Sequence, residues 1–336
     1  MKRGEKVLLA CILIVTIAVS AAGCTSTSQN QTTLTVLNAG SLSKPFSDIA
    51  TAFQKENPNV TVQMQSAGSV DTVKKVSQLN QTADVVATSD WLVINQYLYP
   101  NFTSWIGKFA SNQMVIMYKN TSKNANEINA TNWYQILATP GVAVGRSNPD
   151  ADPNGYRVLM VWQLASTYYN NASLYNALLN NAPKQYMTQK ESDLTALLQS
   201  GQIDYAWTYK SVAKQNNLPY VTLPDQINLS NKTYESNYAS VNATSAGTQV
   251  NGSLIEYGIT VPKNSPNPEL ANKFVAFILG PEGSAIMAKN YQPELKPMQT
   301  VGQVPLVLIP FTLPSSTSTA TVSATTTASA NATTAT

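Results

Sequence analysis

The chain has 336 residues, with 21 basic and 18 acidic side chains and a formal net charge of +3. It contains no histidine, which removes the commonest general base and the commonest metal ligand together. Charged residues make up only 12% and no lysine–arginine run lies beyond the first residues, so no basic field for nucleic acid is expected.

The N-terminus runs from the basic stretch MKRGEK into an apolar segment from Val7 to about Ala22, then Ala21-Ala22-Gly23-Cys24. A basic start, a short apolar core and small residues before a cut site describe a secretory signal, assigned here to residues 1–23. The alternative is a retained membrane helix, but a run of roughly 16 residues falls short of the ~20 that a span needs. Cysteine directly after Ala-Ala-Gly looks like a lipobox, making Cys24 the expected lipidation site and the anchor to the outer face of the membrane. Cleavage removes Cys11 and leaves 18 basic and 17 acidic residues, net +1. No intrachain disulfide is then possible, and any anion site must work through local dipoles.

Residues 24–32 read as a flexible leader. Beyond it, Leu34 to Leu37 form an apolar strand ending in Asn38-Ala39-Gly40-Ser41, and Phe46, Ile49, Ala50 and Phe53 recur at helical spacing, with Ser43 as a cap and Pro45 in the first turn. Val60, Val62 and Met64 alternate as a second strand that ends in Ser66-Ala67-Gly68-Ser69, before Val70, Val73, Val76 and Leu79 at helical spacing. Ala83 to Ala87 is a third strand, and Asp90 caps a third helix. This rhythm of strand and helix predicts a parallel sheet covered by helices.

The strand Gln113–Tyr118 has no helix immediately behind it and reads as the crossing into a second lobe. There the rhythm resumes: a strand Val142–Val144, a turn through Asp152–Gly155, a helix from about Tyr156 to Tyr168, helical Leu194–Leu198, and a strand Ile203–Tyr209 before a helix opened by Ser211. Leu254–Val261 reads as the return crossing, and Leu270, Phe274, Phe277 and Ile278 as a helix packing on the first lobe. The expected division is lobe I over 33–112 and 258–313, lobe II over 113–257, and a disordered Ser/Thr/Ala tail over 314–336. About a dozen Asn-x-Ser/Thr sequons, Asn59, Asn80 and Asn228 among them, fit either a glycosylated surface protein or chance in an Asn/Thr-rich chain.

Four strand ends deliver a small polar residue just before a helix: Gly40-Ser41, Gly68-Ser69, Asp152–Gly155, and Thr208-Tyr209 before Ser211. Helix starts offer unpaired N–H groups and the positive end of the macrodipole, and ligands of open α/β sheets sit beyond the strands' carboxyl ends. A single such serine is an ordinary cap; four, two per lobe, predict a site for a small anion.

The segments VLNAGSLSKP (Val36–Pro45), Ser66–Ser69, Ala83–Asp90, Asp152-Pro153-Asn154-Gly155-Tyr156-Arg157 and Tyr209–Ala213 resemble the archaeal tungstate/molybdate-binding proteins, over roughly residues 33–310. The resemblance implies a type II periplasmic-binding-protein fold, with two lobes of parallel-rich sheet joined by two crossing strands. It implies no resident cofactor, a monomer, capture of molybdate or tungstate, and delivery to an ABC permease with its ATPase. By position, Ser41 and Ser69 would hydrogen-bond the oxyanion from lobe I, with Asp152 and Tyr209 closing from lobe II. In that family two carboxylates reach the metal centre. Asp152 matches one; the position aligned with the other, before Tyr209, holds Thr208. Glu191, Asp204 and Glu235 are the alternatives for that second carboxylate, each read first as a solvated surface charge. The competing readings are a sulfate or phosphate binder, a surface adhesion protein and a hydrolase, the last without a histidine, a free thiol or a Gly-x-Ser-x-Gly elbow to support it.

Overall fold

The computed structural model describes residues 31–312. The signal segment 1–23, Cys24 with most of the leader, and the tail 314–336 lie outside the described residues. Within them no helix is long and apolar enough to cross a membrane.

Strand β1 (Thr32–Ala39) lies between β2 (Val60–Ala67) and β3 (Val85–Thr88), and pairs with both in parallel. The helices Ser43–Glu56 and Ser69–Ser77 make the crossovers, as the alternation of apolar runs and helical spacing requires. Strand β3 is buried on both faces and is wholly apolar apart from Thr88, whereas β2 at the sheet edge alternates between half-buried and exposed residues. β4 (Trp105–Ser111) ends the first run of lobe I, and β5 (Met114–Tyr118) opens lobe II after only Asn112 and Gln113.

Lobe II adds β6 (Val144–Ser147), β7 (Met187–Thr188), β8 (Tyr205–Tyr209) and β9 (Tyr220–Thr222), in the order β7-β6-β8-β5-β9. β6 pairs with β7 and β8 in parallel, while β5 runs antiparallel to β8 and β9. A hairpin of β10 (Asn242–Ser245) and β11 (Thr248–Asn251) precedes the return. β12 (Glu256–Thr260) then inserts between β3 and β4, antiparallel to both, and β13 (Glu294–Gly302) closes the first sheet in the order β13-β4-β12-β3-β1-β2. Both sheets are therefore mixed. The parallel rhythm holds where a helix connects the strands, and the antiparallel neighbours arise from the two crossings. The return reaches the first sheet at Glu256, two residues before the expected boundary at 258.

Aromatic contacts fasten elements in both lobes, within one buried apolar cluster. Phe53 meets Phe274 and Phe277 edge to face at 5.0 and 5.4 Å, fastening the helix Pro268–Leu279 onto lobe I. In lobe II, Trp207 of β8 meets Trp133 and Trp162 edge to face at 5.5 and 6.1 Å. Such pairs add about 0.5–1.5 kcal/mol each beyond their buried area. One expected cap differs. Ser43 does not cap its helix, because a 3₁₀ turn over Gly40–Leu42 leads into it, and the Ser43 hydroxyl instead shares a 2.7 Å hydrogen bond with Ser66.

Candidate functional site

All four predicted strand ends open helices. Gly40 begins the 3₁₀ turn, and Gly68, Asp152 and Tyr209 are the residues just before the helices Ser69–Ser77, Pro153–Tyr168 and Lys210–Gln215. Ser41, Ser69, Asp152, Thr208 and Tyr209 are all buried. Ser41 Oγ accepts from the Tyr257 hydroxyl at 2.9 Å. Ser69 Oγ lies 3.1 Å from Ser89 Oγ and accepts from the Ser89 N–H at 3.0 Å.

Lobe II meets these turns backbone to backbone. The Ala151 carbonyl accepts from the N–H groups of Val70 and Asp71 at 3.0 and 3.4 Å. Two donors at the start of that helix are thus taken by the opposite lobe. The approach is close enough to require glycine: a Cβ on Gly68 would stand 2.3 Å from the Ala151 carbonyl oxygen and 2.7 Å from that of Gln189. A Cβ on Gly40 would stand 2.7 Å from Ser192 Oγ and 2.9 Å from Glu191 Oε2.

That last contact places Glu191. It is 1% exposed, against the expectation of a solvated surface charge, and occupies a 3₁₀ turn, Glu191–Asp193, pressed on the Gly40 turn. Its backbone N–H donates to Asp152 Oδ2 at 2.7 Å, and Asp152 Oδ1 accepts from the Asn154 N–H at 3.1 Å. Asp152 is therefore a helix cap and, at the same time, one of two adjoining buried carboxyls. Burial pushes Asp152 up to about 6, held back by its two backbone N–H bonds. Burial, then the neighbouring Asp152 charge, pushes Glu191 well above the carboxylate range, and Glu191 Oε1 has no hydrogen-bond partner among the described residues. The two carboxyls therefore titrate as a pair, both above their ordinary range.

Thr208 does not join this pair. Successive residues of a strand face opposite ways, so Thr208 falls on the side of Ala206, which packs with Leu194 and Leu198, while Tyr209 falls on the side of Trp207. Its buried hydroxyl has no partner among the described residues. The carboxyl that adjoins Asp152 is that of Glu191. Asp204 binds the Ala143 N–H at 2.9 Å, and Glu235 pairs with exposed Lys232, both away from the site.

A buried ion pair joins the lobes beside the carboxyls. Arg157 lies 3.0 Å from Asp90, both side chains at most 3% exposed. Arg157 also donates to the Ser89 carbonyl at 2.7 Å and to the Tyr209 hydroxyl at 2.8 Å, and Tyr156 donates to Asp90 at 2.7 Å. Desolvation raises the Tyr209 hydroxyl above its ordinary value, so it stays a proton donor. Ser69, Ser89, Arg157 and Tyr209 thus form one connected polar set, with the 6.0 Å Tyr209–Tyr257 ring contact leading on to Ser41.

Residues 34–291 match the bacterial extracellular solute-binding protein family. The chain belongs to that family. It is 41% identical over 336 residues to the molybdate/tungstate-binding protein WtpA of Thermococcus kodakarensis, covering 90% of this chain and 95% of that one. The Pyrococcus abyssi protein of the same name is 38% identical, covering 91% and 97%. An uncharacterized solute-binding protein of Petrotoga mobilis is 44% identical over 275 residues, covering 80% and 85%. The likeness to the archaeal proteins expected from the Ala-Gly-Ser turns and the Asp-Pro-x-Gly-Tyr-Arg run is thereby shown. Among solved structures, the Azotobacter vinelandii periplasmic molybdate-binding protein superposes with a TM-score of 0.56 at 15% identity, covering 77% of this chain and 98% of that one. The sulfate-binding protein SubI of Mycobacterium tuberculosis also scores 0.56, at 16% identity, covering 83% and 90%. These two establish the periplasmic-binding-protein fold, and by naming different anions they show that the fold does not choose the ligand.

Sequence reasoning ranked Glu191 as a surface charge and gave Ser89 and Tyr257 no role. Glu191 sits in Lys190-Glu191-Ser192-Asp193, a charged run just before an apolar helix, whose composition says surface. Asp90 and Arg157 were in view as a cap and a motif residue, but nothing along the chain marks them as partners.

Proposed function

We propose that this extracellular solute-binding protein captures molybdate or tungstate between its lobes and delivers it to an ABC permease and ATPase, as a monomer anchored outside the membrane through Cys24. The observation that carries the reading is the pair of adjoining buried carboxyls, Asp152 and Glu191, beside the hydroxyls of Ser41, Ser69 and Tyr209. A site for sulfate or phosphate is lined by donors, because a carboxylate facing an oxyanion repels it unless protonated. Two carboxylates become favourable when the central atom itself accepts oxygen ligands, as hexavalent molybdenum and tungsten do. The archaeal relatives carry molybdate and tungstate in their names, in agreement with that chemistry. Exposed sequon asparagines such as Asn59 and Asn80 are open to glycan attachment, whereas Asn228 is buried and already bonded to Ser230 and Asp225.

The test is the melting temperature with tungstate, molybdate, sulfate or phosphate. A ligand at a hundredfold excess over its Kd stabilises the fold by about 2.7 kcal/mol. Tungstate or molybdate should raise the melting temperature while excess sulfate leaves it unchanged; the reverse result would make this a sulfate or phosphate binder.

A further inference from the structure

We infer that Tyr257 is a positioning residue that aims the hydroxyl proton of Ser41 into the ligand site, and that Asn112, in the crossing between the lobes, holds Tyr257 in that role. The inference rests on the reading that Ser41 donates to the bound oxyanion.

The direction of every proton in this chain of contacts follows from its chemistry. Asn112 Oδ1 accepts from two backbone N–H groups, Gln113 at 3.0 Å and Ser211 at 3.4 Å. Backbone N–H groups can only donate, which fixes the oxygen end of the amide and turns Nδ2 the other way. Nδ2 can only donate, and does so to Ser211 Oγ at 2.8 Å and to the Tyr257 oxygen at 3.1 Å. The Tyr257 proton then goes to Ser41 Oγ at 2.9 Å. With one of its two lone pairs taken by the Tyr257 proton, Ser41 keeps its own proton free to point outward, as an oxyanion requires. Asn112, Tyr257 and Ser41 are all buried, so water does not compete for these bonds.

The backbone is shaped to bring Tyr257 there. Tyr257 pairs with Ala110 but Gly258 pairs with Lys108, so Phe109 is an extra residue in β4. A bulge of this kind re-aims a side chain beside a site. The Phe109 and Tyr209 rings flank the phenol edge to face at 6.5 and 6.0 Å. Asn112 stands between β4 and β5 and binds Ser211 of lobe II and Tyr257 of lobe I. The donor that sets Ser41 is thereby tied to the crossing between the lobes.

The experiment measures tungstate affinity by calorimetry for Ser41→Ala, Tyr257→Phe, the double variant, Asn112→Ala, and Asn112→Ala with Ser41→Ala, with the melting temperature of each unliganded protein as the folding control. Tyr257→Phe keeps the ring packing and should weaken tungstate about tenfold, the value of one well-placed hydrogen bond. Because Tyr257 acts through Ser41, the double variant should bind no more weakly than Ser41→Ala alone, and the loss caused by Asn112→Ala should vanish in the Ser41→Ala background. Should Tyr257→Phe fail to fold, the Asn112 pair decides alone. Additive losses, or wild-type affinity in Tyr257→Phe, would overturn the relay. Wild-type affinity in Ser41→Ala would overturn the site reading itself and the relay with it.

Discussion

Replacing Arg157 by methionine keeps the apolar stem of the side chain and deletes its charge. In the structure Asp90 would then keep the Tyr156 hydroxyl and the Leu92 N–H but lose its buried cation. Removing one partner of a buried ion pair costs about 3–5 kcal/mol, because the other charge stays desolvated. Asp90 belongs to lobe I and Arg157 to lobe II, so the penalty falls on the closed form; opening lets water reach Asp90. On the proposed reading ligand is held where the lobes meet, and each 1.4 kcal/mol is tenfold, so the tungstate Kd should rise by about two to four powers of ten. Adding Asp90→Asn to Arg157→Met removes the stranded charge and should recover part of the loss. Calorimetric titration with tungstate gives the affinities, and small-angle scattering at saturating tungstate reports whether the variant still closes. Wild-type affinity together with a lowered melting temperature of the unliganded protein would refute the reasoning: the pair would then hold the fold together without acting as a latch between lobes.

Three further outcomes follow from the same geometry. Asp152 is pushed up to about 6 and Glu191 well above the carboxylate range, so the pair holds protons that metal coordination must displace; tungstate affinity by calorimetry should rise with pH through about 6 and go on rising beyond it, and Asp152→Asn and Glu191→Gln should each weaken it strongly. The sign for the unliganded closed protein is opposite: a carboxyl raised in the fold favours the folded state at low pH, and stability falls as pH climbs from the ordinary value near 4 to about 6 for Asp152, a trend thermal melts at stepped pH would show. Gly68→Ala should weaken tungstate at least tenfold in the same calorimetric titration, because its methyl would stand 2.3 and 2.7 Å from the Ala151 and Gln189 carbonyl oxygens and force the lobes apart. Thr208→Val exchanges an unpartnered buried hydroxyl for a methyl and should change stability by no more than about 1 kcal/mol, in either direction, with tungstate affinity unaltered in the same titration.

The core elements of the fold were legible because burial on both faces or on one stripe leaves a simple pattern. Leu34–Leu37, the alternation at Val60, Val62 and Met64, and the spacing of Phe46, Ile49 and Phe53 each appear in the structure as read. The elements without such a pattern were not read. β7 has two residues and β9 three, too short for any period to show. β11 and β13 are polar and largely exposed, β13 carrying Pro297 at the sheet edge, and β10 is short and polar with only Ala243 and Ser245 buried; such strands resemble loops in composition. The helices Leu174–Asn181 and Pro281–Lys289 were likewise invisible between apolar runs too brief to fix a face.

Within the site, legibility followed locality. A strand end that opens a helix is written in consecutive residues, so Gly40-Ser41, Gly68-Ser69 and Asp152 could be placed from the chain alone. Thr208 was placed by adjacency to Tyr209, and the period of two in a strand already argues against it, since neighbours on β8 cannot both face one ligand. Glu191 is the opposite case. Its burial depends on three elements meeting: the turn at Gly40, which has no side chain to exclude it, the cap at Asp152, which accepts its N–H, and the fold of lobe II that brings residue 191 beside residue 152. A charged residue next to Lys190 and Asp193 carries no mark of that burial. Once the fold encloses it, an unpaired carboxyl that cannot reach water must either keep a proton or find a cationic centre, and Glu191, with Oε1 left without a partner, is the side chain in this site with the strongest electrostatic reason to take part in binding.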